Sequence, residues 1–158
     1  MMRAAILTIS DSCAAGKRND ESGPAVEKAL IENGIEVHKR KIVADEHDNI
    51  VRELRRLSDG AGVDVIFTTG GTGLGPRDVT PEATEAVCGR MVPGLVEMIR
   101  ARGLEKTRNA ALSRGVAGIR QSTLIINLPG SPKGARESLE AVIDILPHAI
   151  EMLRGGGH

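Results

Sequence analysis

The chain is almost without aromatic residues: Phe67 is the only one, and Trp and Tyr are absent. Proteins that hold single-stranded nucleic acid usually stack bases on aromatic platforms, so that class is disfavoured. The 21 basic and 21 acidic residues cancel, leaving no global field to recruit nucleic acid or an anionic membrane. Any anion binding has to be local. The two cysteines, Cys13 and Cys88, lie far apart with no partner motif. They build no disulfide framework, and the cytosol is the expected compartment. No secretory h-region is present, because the apolar run 4–9 stops at Asp11. No window approaches the ~20 apolar residues of a membrane span.

What remains is ordinary for a globular protein: 158 residues, 41% apolar and 27% charged, enough for one domain with a real core. A single domain over 1–158 is expected, with 154–158 a loose tail. Residues 3–10 read as a buried strand, 10–23 as a polar loop and 24–33 as a helix stopped by Gly34. Residues 35–44 read as a second strand, placed near a sheet edge by the polar middle His38-Lys39-Arg40-Lys41. Residues 46–58 form the clearest amphipathic helix, with Ile50, Leu54 and Leu57 at helical spacing. Strands are expected at 63–69 and 122–128, the latter central. Helices are expected at 81–89, 92–104 and 135–153, the last broken near Pro147. Residues 106–121 stay ambiguous. Strands alternating with helices predict an α/β fold with a mostly parallel sheet covered on both faces.

The chemistry gathers where strand 63–69 meets the next helix: Thr69-Gly70-Gly71-Thr72-Gly73-Leu74-Gly75-Pro76-Arg77-Asp78-Val79-Thr80-Pro81. Thr80 suits a helix cap and Pro81 the first helical position. Such a loop exposes N–H groups that attract anions, at the place where open α/β sheets bind ligands. It has neither the Lys-Ser/Thr of a Walker loop nor the spacing of a dinucleotide fold. A merely structural turn is the alternative. Asp78 either pairs with Arg77 at the surface or faces a ligand; Asp45 either caps the following helix or joins Asp78. In a parallel sheet Ser10, Asp11, Asp45, Thr69, Gly70 and the Pro129-Gly130-Ser131-Pro132-Lys133 loop open on one edge. Mg²⁺ fits such a place, since it needs few carboxylates beside phosphate and water. Ser131 and Lys133 open a second candidate anion seat. His38, His47, His148 and His158 show no zinc spacing and read as surface residues. Cys13 reads as a possible exposed thiol with no role.

These stretches resemble the MogA/MoaB family of molybdenum-cofactor biosynthesis proteins. The resemblance rests on Thr69-Gly70-Gly71-Thr72-Gly73, on Arg77-Asp78-Val79-Thr80-Pro81-Glu82-Ala83 and on Leu128-Pro129-Gly130-Ser131-Pro132-Lys133-Gly134. Ile9-Ser10-Asp11-Ser12, Asp20-Glu21-Ser22-Gly23, Leu112-Ser113-Arg114 and Ala117-Gly118-Ile119-Arg120 are also similar to it. The similarity runs in order from Leu7 to about Leu153. It implies a three-layer α/β/α molybdopterin-binding fold with one antiparallel strand, and a homotrimer, for which the apolar stretch 91–98 is a weak hint of an interface. It implies Mg²⁺-dependent transfer of AMP from ATP to molybdopterin in the cytoplasm, with a molybdate-inserting protein as a possible partner. It implies Asp45 and Asp78 as the essential, metal-holding acids, although Ala44 stands where the family has Pro. Ser10, Asp11, Thr69, Gly70, Gly71, Thr72, Gly73, Ser113, Pro129, Gly130, Ser131 and Lys133 match its ligand-contacting segments. With Phe67 alone, a bound adenine or pterin would pack on aliphatic groups, backbone or Arg. A non-catalytic molybdopterin-binding paralogue is the alternative, and hydrolysis of nucleotide pyrophosphates a third reading.

Overall fold

The computed structural model describes residues 1–60 and 62–156. Six strands form one sheet in the order β2-β1-β3-β6-β5-β4. They are β1 (Arg3–Ile9), β2 (Glu36–Val43), β3 (Val65–Thr69), β4 (Arg90–Met91), β5 (Ala117–Arg120) and β6 (Thr123–Leu128). The helices are α1 (Asp11–Ala14), α2 (Ser22–Glu32), α3 (His47–Gly60), α4 (Thr80–Val87), α5 (Pro93–Leu104), α6 (Pro132–Val142) and α7 (Leu146–Leu153). β1, β2, β3 and β6 run parallel; β5 is antiparallel to both β6 and β4. One strand therefore runs against the rest, as the family resemblance implies.

The central strands have no polar face because both faces are covered. Ala4, Ile6, Val65, Phe67, Leu124 and Ile126 pack against α2, α5, α6 and α7 residues such as Leu30, Leu95, Leu139 and Ile150. Their neighbours Ala5, Leu7, Ile66 and Ile125 point the other way, onto Ile50, Leu54, Leu57, Ala83 and Val87 of α3 and α4. This period-two division makes the three layers. β2 lies at the sheet edge, where its polar middle is exposed. Gly34 ends α2 at φ +74°, a conformation that suits glycine.

Several expectations need correction. The loop 10–23 contains the one-turn helix α1, capped by Ser10 Oγ, which accepts from the Cys13 N–H. The ambiguous 106–121 holds a 3₁₀ turn (Arg108–Leu112) and β5. β5 returns to β6 through Gln121 and Ser122, with Gln121 at φ +53°. The break expected near Pro147 is present: residues 143–145 interrupt 135–153 as a 3₁₀ turn, and Pro147 sits in the first turn of α7. Proline there has no N–H to give and would crowd a continuing helix at the carbonyl four residues back. Within the expected tail, Arg154 pairs with Asp64 at 2.6 Å, and Gly155 and Gly156 donate to Met152 and Glu151 carbonyls. The rest of the expected tail, Gly157 and His158, lies outside the described residues.

Chain order reverses between β1's two neighbours, β2 and β3, so a crevice opens at the carboxyl ends of β1 and β3. The sheet is tied to the helix beyond that crevice by buried Asn127. Its Nδ2 donates to Thr68 Oγ1 at 2.9 Å and Thr84 Oγ1 at 3.0 Å, and its Oδ1 accepts from the Val116 N–H at 3.1 Å. Truncation would leave that half-buried N–H, and the buried Thr68 and Thr84 hydroxyls, without this partner. Asn127→Ala is therefore expected to lower stability by about 2–3 kcal/mol in urea denaturation.

Candidate functional site

Gly70 and Gly71 leave the end of β3 at φ +103° and +71°. A Cβ on Gly70 would collide with the Ile9 carbonyl of β1, and one on Gly71 with Thr80 Oγ1. Only glycine lets the strand end and the helix start approach this closely. Every carbonyl of this tight turn is turned back into the protein. Gly70 O accepts from Thr80 Oγ1 at 2.9 Å and Gly71 O from the Thr80 N–H at 3.1 Å. Thr72 O accepts from the Arg114 N–H at 2.9 Å and Gly73 O from Arg114 Nε at 2.8 Å. Among the described residues the N–H groups of Gly71, Thr72 and Gly73 have no protein acceptor. The loop thus keeps its acceptors occupied, and of these three donors Gly71 lies on the crevice wall, the polarity an anion site requires.

Thr80 does this in place of the capping expected of it. Val79 takes the N-cap position of α4 without a side-chain cap, while Pro81 sits in the first turn as predicted. Thr69 Oγ1 donates to the Pro129 carbonyl at 2.6 Å, which joins the two glycine loops.

The crevice is a cavity of about 520 Å³. Ser10, Asp45, Thr69, Gly70, Gly71, Asp78, Gly130 and Ser131 all line it, so the expected convergence on one sheet edge occurs. Asp11 turns aside. Arg77 grips it with two bonds of 3.0 Å each and also reaches Glu46 at 3.0 Å. The Arg77–Asp78 pair is therefore not formed. Asp78 Oδ2 accepts from the Gly75 N–H at 2.9 Å. Asp45 does not serve as a cap: its Oδ2 accepts from the Asp11 N–H at 2.8 Å, and Asp11 Oδ1 accepts in return from the Asp45 N–H at 2.9 Å.

Charge separates these acids. The Arg77 guanidinium holds the Asp11 carboxyl below its ordinary range. Burial raises Asp45, against the Asp11 N–H, and the Asp11 and Asp78 carboxylates raise it further. Asp45 and Asp78 each retain one carboxylate oxygen without a donor among the described residues. No group of three or more His, Cys, Asp or Glu is placed to hold a metal among those residues. Two carboxylates completed by phosphate and water fit Mg²⁺ and do not form a cage of their own.

Ser113 and Pro129 lie elsewhere, lining a second cavity of about 300 Å³ between α5, the 108–112 turn and α6. Ser131 borders both cavities. Thr72 and Gly73 contact neither; their carbonyls meet Arg114. Lys133 also reaches neither cavity: its side chain is 88% exposed, 4.0 Å from Glu137. Cys13, read as an exposed thiol, is buried in the wall of the larger cavity. His38, His47 and His148 are exposed and line neither cavity.

Sequence reasoning assigned no role to Arg114 or Asp20. Arg114 holds the carbonyls of Gly73 and Asp78 and pairs with Glu82 at 2.7 Å. Asp20, whose side chain is 4% exposed, accepts from Thr8 Oγ1 at 2.7 Å and the Gly23 N–H at 3.0 Å. Both sit inside stretches that carry the family resemblance, which was the available signal.

Because Asp45 is raised, the fold favours its neutral form. That contribution is full below the ordinary Asp range and is lost as pH rises through the raised value. Asn at this position keeps an acceptor for the Asp11 N–H and carries no charge. Asp45→Asn in chelator is expected to melt about 1–3 °C above the parent at pH 7, with the gap closing towards pH 4 in calorimetry.

The model of the family described as a probable molybdopterin binding domain matches residues 5–148. The chain is 45% identical over 153 residues to a molybdopterin adenylyltransferase of Helicobacter pylori, covering 95% of this chain and 86% of that protein. It is 37% identical over 169 residues to the enzyme of that name in Escherichia coli K12, covering 98% and 86%. The solved structure of the molybdopterin biosynthesis enzyme MoaB from Thermus thermophilus is 54% identical, with 98% of each chain covered and a TM-score of 0.93. On the family match and on these identities, the chain belongs to the MogA/MoaB family of molybdopterin-binding-domain proteins.

Proposed function

We propose that this chain is a molybdopterin adenylyltransferase that transfers AMP from ATP to molybdopterin in molybdenum-cofactor biosynthesis. The observation that carries the reading is the glycine loop with its carbonyls occupied and its N–H groups open, beside Asp45 and Asp78 on one sheet edge. Family membership and the names of relatives matching most of both chains support it.

In this reaction a terminal phosphate oxygen of molybdopterin attacks the α-phosphorus of ATP. The new P–O bond forms as the bond to the β-phosphate breaks, and pyrophosphate leaves with the electron pair. The attacking phosphate is already ionised near neutral pH, so no strong general base is required. The absence of histidine from the described cavity lining is consistent with that. The difficulty is bringing two anions together, and the protein's part is positioning and charge stabilisation. The Gly71 N–H, on the cavity wall, donates to phosphate oxygens. Ser131, at the border of both cavities, stands where two substrates would meet. Asp45 and Asp78 would hold Mg²⁺ with their free oxygens. Bound there, the ion supplies neutralisation of the charge that develops on the departing pyrophosphate.

The reading extends to a homotrimer working in the cytoplasm. Of the stretch 91–98, Leu95 and Val96 pack into this chain's own core, and Met91 and Met98, 41% and 40% exposed, are left for an interface. Among the described residues no helix is long and apolar enough to cross a membrane.

Incubation with ATP, Mg²⁺ and molybdopterin is expected to release pyrophosphate; no release would leave the chain a binder. Asp78→Asn is expected to cut turnover by about 10²-fold or more. Molybdopterin affinity should stay within a factor of about three of the parent. Equal losses in binding and turnover would make Asp78 a binding or structural residue. Sedimentation should give three times the chain mass, and a stable monomer would remove the trimer from the reading.

A further inference from the structure

The larger cavity is unbalanced in charge. Asp20, Glu21, Asp45 and Asp78 line it, and Arg18 is the only cation among its described lining residues. Other nearby cations are engaged: Arg40 with Glu27 and, at 3.9 Å, with Asp20 of the cavity wall, Arg77 with Asp11 and Glu46, Arg114 with Glu82. Lys133 extends into solvent towards Glu137. Arg18 makes no ion pair among the described residues, although four carboxylates share its cavity.

The backbone that presents Arg18 is pinned on both sides. Before it, Gly16 turns at φ +72°, and the Gly16 and Lys17 N–H groups donate to the Cys13 and Ser12 carbonyls at 3.1 and 2.9 Å. After it, the buried Asp20 carboxylate accepts from Thr8 Oγ1, from Ser22 Oγ at 3.3 Å and from the Gly23 N–H. These anchors hold the loop against the end of β1 and the start of α2, which leaves the Arg18 side chain at the cavity wall. A carboxylate-lined cavity opposes a phosphate unless cations offset its field. A planar guanidinium that pairs with none of those carboxylates is a ready fork for phosphate oxygens.

We propose that Arg18 is a phosphate-binding residue of this cavity, contacting substrate phosphate oxygens as a second source of positive charge beside the metal expected at Asp45 and Asp78. The proposal rests on the adenylyltransferase reading. Two substrates carry phosphate, and kinetics separate them. Arg18→Ala is expected to raise the Michaelis constant about tenfold for whichever substrate it contacts, ATP or molybdopterin. Arg18→Lys should recover part of the loss, since it keeps the charge without the fork. Melting temperatures of both variants should match the parent, which a structural role would not allow.

Calorimetric titration with inorganic phosphate and pyrophosphate, each with Mg²⁺, tests the contact without turnover. The parent is expected to bind at least one of them, and Arg18→Ala to bind it about tenfold more weakly. Failure of the parent to release pyrophosphate in the full assay would remove the adenylyltransferase reading, while this titration still reports on Arg18. Unchanged phosphate and pyrophosphate affinities together with unchanged Michaelis constants, or no binding of either anion by the parent, would overturn the assignment.

Discussion

Thr80 holds the site together by directing both its donors at consecutive carbonyls of one loop. Its hydroxyl bonds to Gly70 O and its N–H to Gly71 O. Thr80 O in turn accepts from Thr84 Oγ1, which accepts from Asn127 in the middle of the sheet. A chain of buried hydrogen bonds thus runs from β6 through α4 to the glycine turn. In a buried setting such bonds reinforce one another, and a missing member is costly. The turn is therefore built as part of the core, although it lies at a surface crevice.

Fixing the carbonyls has a consequence for the donors. A glycine-rich turn free in solution would present either polarity to a ligand. With four carbonyls committed to Thr80 and Arg114, what remains available is N–H. Arg114 contributes from a distant part of the sequence, after the 108–112 turn, and its salt bridge to Glu82 locks it in that role. Cations here are largely structural: Arg77 and Arg114 shape the loop and its surroundings, and their charge is balanced by Asp11, Glu46 and Glu82.

Much of this was legible in the sequence, for physical reasons that differ by element. β1, β3 and β6 announce themselves as short apolar runs because both faces of the sheet are covered. The polar middle of β2 located an edge because a strand with solvent on one side tolerates charge. Parallel order alone then brought Asp45, Asp78 and both glycine loops to one edge. β4 and β5 were not legible. One is two residues long, and the other returns through Gln121, which takes a positive φ without the glycine or asparagine that signals such turns. Long side chains were the other failure. Arg77 chose Asp11, 66 residues away, over its neighbour Asp78, and Lys133 turned outward. Nothing in local spacing specifies such choices, because they depend on which partners the tertiary fold brings within reach.

The contrast with a Walker loop follows from the same charges. There a lysine in the motif meets the phosphates directly. Here the glycine motif brings Asp78 and an arginine committed to two acids. The cavity wall adds Asp20, Glu21 and Asp45, against Arg18 among its described lining residues and Arg40 behind Asp20 at 3.9 Å. A nucleotide entering such a space without its own cation would bring like charge towards like at short range in a partly desolvated crevice. Under the proposed reaction the crevice therefore selects for a nucleotide that carries its metal with it. Asp45 shows the local cost most directly, since burial and two neighbouring carboxylates already disfavour its charged form. Asp45 and Asp78 would hold a divalent ion there, and its charge would offset that repulsion. The free carboxylate oxygens and the open N–H groups are then two halves of one requirement: acceptors for the cation and donors for the anion it accompanies.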